Sequence, residues 1–221
     1  MNAAQRPSTS AGASRPWRPP GAGSPRSERL DEIQRDRIFD SLLAVLGKGG
    51  LPALTLNRVA LNAGMSTRTF YAYFEDIDDC LLAAYRTYAD QLGGELRDAW
   101  QAADRWPDKV RAALAAALAF AVRRPLVARF LAAEAQAGSC ALRAAQAASI
   151  DALAAKLGEG RRLYPAAAGL NPLTERVMVA GAVALLGDRL LAGEFERLAA
   201  LERELGERAL APYLRARLTR L

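Results

Sequence analysis

Residues 61–74 read LNAGMSTRTFYAYF, a glycine turn followed by hydroxyls, one arginine and four aromatic rings. These side chains suit nucleic acid. An arginine can fork onto guanine O6 and N7, a threonine methyl can meet a thymine methyl, and a tyrosine hydroxyl can reach a phosphate. On a helical wheel Phe70, Tyr73 and Phe74 share one arc, whereas Thr67, Arg68, Tyr71 and Ala72 share the next. Phe70 and Phe74 are therefore expected in a core. Thr67, Arg68 and Tyr71 are left facing outward near a helix start, where the backbone dipole favours anions. Spacing alone leaves a solvent-facing polar patch as the alternative.

Composition removes other chemistries. The 221-residue chain has no histidine, which excludes Ser-His-Asp and Cys-His nucleophile pairs and histidine metal sites. Cys80 and Cys140 lack the C-x-x-C spacing of a zinc or dithiol motif, which fits a reducing, cytoplasmic setting. With no phosphate-cradling glycine loop either, the chain does not read as an enzyme, and no cofactor or metal is expected. The net charge of +6 suits an anionic partner or simply a solvated surface. The apolar runs at 112–122 and 177–187 fall short of the ~18–20 residues a bilayer needs, so no membrane partner is expected.

The elements that must position the 61–74 stretch are helical. Residues 1–27 are rich in Pro, Ser, Gly and Ala, carry four arginines and no acid, and read as a disordered basic arm. From Ser27, a plausible N-cap, Leu30, Ile33, Ile38, Leu42, Val45 and Leu46 recur at helical steps until GKGG at 47–50 ends the run. Thr55 caps a second helix, 56–62, with Leu56, Val59 and Ala60 inward. Gly64 supplies the turn, and Ser66 caps a third helix running to about Phe74. Further helices are predicted at 77–93, 108–123, 126–137, 140–157, 173–192 and 195–218, with no strand alternation. The expected fold is all-α: a small three-helix bundle with helix-turn-helix spacing at 28–76 joined to a larger helical bundle at 77–221.

The segment LTLNRVALNAGMSTRTFYAYFEDIDDCLLAAY, residues 54–85, closely resembles the TetR family of transcriptional regulators. The matching positions are Leu54, Thr55, Val59, Ala60, Ala63, Gly64, Met65, Ser66, Thr69, Phe70, Tyr71 and Phe74, and the likeness covers roughly residues 28–85. It implies a homodimer that sets two recognition helices into successive major grooves of a palindromic double-stranded DNA operator, about 34–36 Å apart. It also implies base contacts from Thr67, Arg68 and Thr69, and backbone contacts from Thr55, Asn57, Arg58, Tyr71 and Tyr73. For Tyr73 this conflicts with the core arc that periodicity gives it. Where the family usually has a phosphate-gripping lysine, this chain has Ile77, flanked by Glu75, Asp76, Asp78 and Asp79.

The resemblance further implies that 77–221 is a ligand-binding and dimerisation domain, and that the protein is a repressor released from DNA when a small, mostly apolar ligand enters that domain. Phe120, Phe130, Glu134 and Met178 are candidates for lining such a pocket, the alternative being ordinary core and a solvated acid. Leu173, Val177, Ala180, Ala184 and Leu191, with Gly181 beside them, form one stripe. Leu198, Leu201, Leu205, Leu210, Tyr213, Leu214 and Leu218 form a second; the resemblance implies that the two together make a four-helix dimer interface, the alternative being that both stripes pack internally. Cys80 is expected to be a small buried hydrophobe. The competing reading is a helical dimeric interaction protein that keeps the fold with weak or no specific DNA binding.

Overall fold

The computed structural model describes residues 25–214, and most of the expected basic arm, residues 1–24, lies outside them. Among the described residues the chain is helical without strands. The helices are α1 (Pro25–Gly49), α2 (Leu56–Asn62), α3 (Thr67–Phe70), α4 (Ile77–Ala102), α5 (Trp106–Arg123), α6 (Pro125–Ala132), α7 (Cys140–Gly158), α8 (Gly160–Leu163), α9 (Thr174–Leu191) and α10 (Leu198–Leu214). None is long and apolar enough to cross a membrane.

Several boundaries differ from the sequence expectation for physical reasons. α1 already includes Ser27, which is therefore not its cap. Pro107 does not break a helix but sits in the first turn of α5, where a missing N–H costs nothing. α4 continues through Gly93 and Gly94 to Ala102 because it packs along α5, and tertiary contact outweighs the ~1 kcal/mol propensity cost of each glycine. The segment 126–137 divides into α6 and a 3₁₀ turn at Glu134–Ala137.

One apolar cluster joins the amino-terminal helices to the larger helical body. Val59 of α2 and Phe70 and Phe74 of the reading head join Ile38, Phe39 and Leu42 of α1. The same cluster continues through Cys80, Leu81 and Tyr85 of α4, Phe120 of α5 and Phe130 of α6 to Leu190 of α9 and Leu198 and Leu201 of α10. A rigid ring buried in such a core contributes roughly 1.5–3 kcal/mol. Because reading head and body share this core, a displacement in one strains the other. Leu30 and Ile33, expected on the inner face of α1, are instead 54% and 48% exposed: the helix projects past the core at its amino-terminal end.

A second cluster of Trp106, Val110, Leu157, Ala167, Leu210 and Tyr213 ties α5 to α10. At its edge the buried Glu175 accepts Arg161 Nε at 2.7 Å and Nη2 at 2.6 Å, and the Tyr213 hydroxyl also donates to it. Arg161 also donates through Nη1 to the Leu170 carbonyl and through Nη2 to the Asn171 carbonyl, each at 2.8 Å, so the buried carboxylate faces a cation that is itself held in place.

Candidate nucleic-acid interface

The reading head is built from capped, short elements. Thr55, in extended conformation, accepts the Arg58 amide at 3.3 Å and so starts α2. The end of α2 is a Schellman motif: the Met65 amide donates to the Ala60 carbonyl at 3.0 Å and the Gly64 amide to Leu61 at 3.1 Å. Gly64 takes φ +67° there, a conformation that disfavours any side chain. Ser66 then caps α3, accepting the Thr69 amide at 3.1 Å. The helix ends at Phe70 rather than near Phe74, and Tyr71–Tyr73 continue as hydrogen-bonded turns.

This framework divides the aromatic side chains. Phe70 is fully buried and Phe74 is 5% exposed, their rings 5.6 Å apart, with Phe39 of α1 5.8 Å from Phe74. Tyr71 is 59% exposed, its ring edge-on to Phe70. Tyr73 follows its periodicity: its ring packs on the main cluster and its hydroxyl donates to Asp31 Oδ1 at 3.2 Å. Burial and that carboxylate hold its pKa above the phenol value, and a carboxylate there disfavours a phosphate.

Thr67, Arg68 and Thr69 are all exposed. The Thr69 hydroxyl lies 2.9 Å from Ser66 Oγ, which engages it in the cap. Thr67 and Arg68 have no side-chain partner among the described residues and stand open at the start of α3. Asn57 is exposed beside Arg58, whose Nη1 donates to the Ala53 carbonyl at 3.0 Å, leaving part of the guanidinium available. Leu61, at 81% exposure, shares this surface and went unremarked in the sequence because an apolar residue on a short helix reads as core.

The acids around Ile77 also have a structural role. Asp76 caps α4 by accepting the Asp79 amide at 2.8 Å, and Asp79 Oδ2 accepts the Glu75 amide at 3.1 Å. Ile77 packs half-buried on the core, so the position carries packing where the family pattern has a cation. The Cys80 thiol is buried and pushed up to about 12, which keeps it a small inert hydrophobe.

The candidate ligand-lining residues do not come together. Phe120 and Phe130 are solid core in the main cluster, and Met178 packs on the second cluster. Glu134 pairs with Arg129 at 2.6 Å near the end of α1. An open groove of about 460 Å³ lies between α4 and α7, walled by Leu82, Tyr85 and Arg86 on one side and Ala141, Ala144 and Ala148 on the other.

The two expected dimer stripes also part. On α9, Val177 is 66% and Leu191 52% exposed, with Gly181 and Ala184 exposed and Ala180 half-buried between them. On α10, Leu201 is buried and the half-buried Leu205 packs on the main cluster, both drawn in by the contact of α10 with α5. Leu185, 44% exposed, extends the α9 face.

Residues 38–84 match the family model described as bacterial regulatory proteins, tetR family. The HTH-type transcriptional regulator BetI of Burkholderia cenocepacia is 37% identical over 76 residues, 34% of this chain and 36% of that protein. BetI of Burkholderia mallei is likewise 37% identical over 76 residues, 35% of its length. The chain thus spans about a third of the length of the curated relatives it matches. Among solved structures, the fatty acid degradation regulator FadR of Bacillus halodurans superposes with TM-score 0.71 at 17% identity, over 80% of this chain and 94% of that one. FadR of Bacillus subtilis in complex with stearoyl-CoA gives 0.68 at 17% identity, over 80% and 98%. At such identities the likeness is one of fold.

Proposed function

We propose that this chain, a TetR-family transcriptional regulator by its amino-terminal domain, binds a palindromic operator as a homodimer and releases it when a small molecule occupies the helical body. The observation that carries the reading is the pair Thr67 and Arg68, exposed and unengaged at the start of a helix whose other face is fixed by Phe70 and Phe74. A free guanidinium on a rigid platform is suited to fork onto a guanine edge in the major groove. Thr55, Asn57, Arg58 and Tyr71 flank it as groups for phosphate and sugar, and they fix register rather than sequence. The exposed α9 face of Val177, Gly181, Ala184 and Leu191 supports pairing with a second copy, which would place two reading heads on one duplex.

The ligand reading is supported by the fold shared with FadR of Bacillus subtilis, which was solved with stearoyl-CoA. In this chain the open groove between α4 and α7 is the proposed place of entry, because α4 leads directly from it to the reading head. Release requires a ligand that binds the DNA-free form more tightly, by ~10⁴-fold to carry an equilibrium from 1:99 to 99:1.

A second reading, an interaction protein that has lost specific DNA binding, is favoured by Ile77 and its acidic neighbours alone. Selection of bound duplexes from a random library, repeated with Arg68→Ala, separates the two. A palindrome whose half-site preference relaxes in the variant, by about 1–3 kcal/mol at the contacted pair, supports the regulator. Sequence-independent, salt-labile binding by the unaltered protein would leave the interaction reading standing.

A further inference from the structure

The helix-turn-helix is held from outside by α1. The Schellman motif satisfies the Ala60 and Leu61 carbonyls of α2 but leaves the Ala63 carbonyl at the turn itself. Arg37 Nη2, reaching across from α1, donates to that oxygen at 2.8 Å. Its other terminal nitrogen lies 3.4 Å from Gln34 Oε1, which steadies the fork. One helical turn further along α1, Ser41 is 3% exposed, and its hydroxyl donates to the Val59 carbonyl at 2.7 Å while accepting Asn62 Nδ2 at 3.1 Å. Two side chains at i and i+4 on one helix thus bind the last turn of α2 and the turn that aims α3.

We propose that Arg37 is a positioning residue for DNA reading: by holding the Ala63 carbonyl it fixes the direction in which α3 presents Thr67 and Arg68. The physical case rests on three points. Three residues separate Ala63 from the first residue of α3, so a small rotation at Ala63 is passed to the whole four-residue helix. A hydrogen bond from a charged donor to a helix-end carbonyl is stronger than a neutral one, and it also complements the negative end of the α2 dipole. Finally, α3 is too short to hold its own orientation by intrahelical bonding, so its aim depends on what its ends are attached to. Arg37 does not lie within α2 or α3, so the role is invisible to a motif read over the helix-turn-helix alone.

This inference rests on the DNA-reading proposal, and its test separates the two. Arg37→Met keeps the aliphatic stem and removes the donors, while Arg37→Lys restores a donor and the charge. Amide hydrogen exchange of free protein is compared for residues 63–70 and for the middle of α4, and operator and random-duplex affinities are measured across a salt series. The expected result is exchange about tenfold faster at 63–70 in Arg37→Met with α4 unchanged. The operator-to-random ratio should fall roughly tenfold or more, with an unaltered salt slope and partial recovery in Arg37→Lys. A salt slope reduced by about 0.9 with the sequence preference intact would make Arg37 a phosphate contact and overturn the proposal. Unchanged exchange at 63–70 overturns it as well. If exchange rises but the unaltered protein prefers no sequence, DNA reading itself fails, and the assignment of Arg37 to it fails with it.

Discussion

Arg129 and Glu134 form an ion pair at 2.6 Å whose side chains are only 22% and 11% exposed, and the same guanidinium lies 3.4 Å from the Leu46 and Gly47 carbonyls at the end of α1. A cation from the body thus closes the carboxy-terminal end of the helix whose middle contacts the turn of the reading head. Glu134 orients the guanidinium through Nε and Nη2 together.

Removing that cation leaves a mostly buried carboxylate without its partner. Arg129→Ala is expected to destabilise the fold by about 3 kcal/mol, the lower end for a broken buried pair. Urea unfolding followed by circular dichroism measures it. Because the main cluster spans head and body, the transition should remain single; a separate early transition of the amino-terminal helices would show that the head is held independently.

The Ile77 position tests how DNA affinity is distributed. Ile77→Lys places a cation at the start of α4 at the loss of a half-buried contact worth about 1 kcal/mol. Fluorescence anisotropy over a salt series should then show a slope steeper by about 0.9 per protomer, with the sequence preference unchanged. An unaltered slope would mean that DNA does not pass this end of α4.

The arrangement around residues 54–74 was legible because it rests on local chemistry. Thr55 and Ser66 are hydroxyl caps, Gly64 is the residue that takes positive φ, and Phe70 and Phe74 are core at helical spacing. What the sequence did not show depends on distant partners. Tyr73 was ambiguous until Asp31, forty-two residues away, was seen to accept its hydroxyl. Glu134 stands among alanines in the sequence, and its partner Arg129 is held toward it by the distant carbonyls at the end of α1. Leu201 and Val177 both lie on apolar stripes, and only the packing of α10 on α5 decides that the first is internal and the second exposed. Apolar periodicity identifies a buried face without naming the surface that buries it.

Acid and alkali should act on the Arg161–Glu175–Tyr213 network from opposite sides. Hydrogen bonds from Arg161, then Tyr213, hold the Glu175 carboxyl below its ordinary value of 4.5 against the opposing effect of burial. A carboxylate depressed in the folded state contributes stability that is full above its unfolded pKa and disappears as pH falls through the folded one. Burial, then Glu175, pushes the Tyr213 hydroxyl above its ordinary 10.0, so its contribution is full below that value and lost on further rise. Denaturation midpoints should therefore stay level between about pH 5 and 9 and fall outside that range. Glu175→Gln should lower the plateau and flatten the acid limb. An acid limb of the same steepness in the variant would assign the loss to other carboxylates.

The α9 face supplies the test of assembly. Val177, Gly181, Ala184 and Leu191 lie along an 18-residue helix, and the small residues at its middle let a second backbone approach to roughly 8–10 Å. If two copies meet there about a two-fold axis, each substitution is introduced twice into one interface, and Val177→Glu sets two carboxylates in an apolar contact. Sedimentation equilibrium at micromolar concentration is expected to give a dimer for the unaltered chain and a monomer for the variant. Operator binding should weaken in the same variant while its salt-dependent attachment to random duplex persists at the single-head level, because the loss is of simultaneous engagement rather than of the Arg68 surface. A variant that stays dimeric would move the interface off α9.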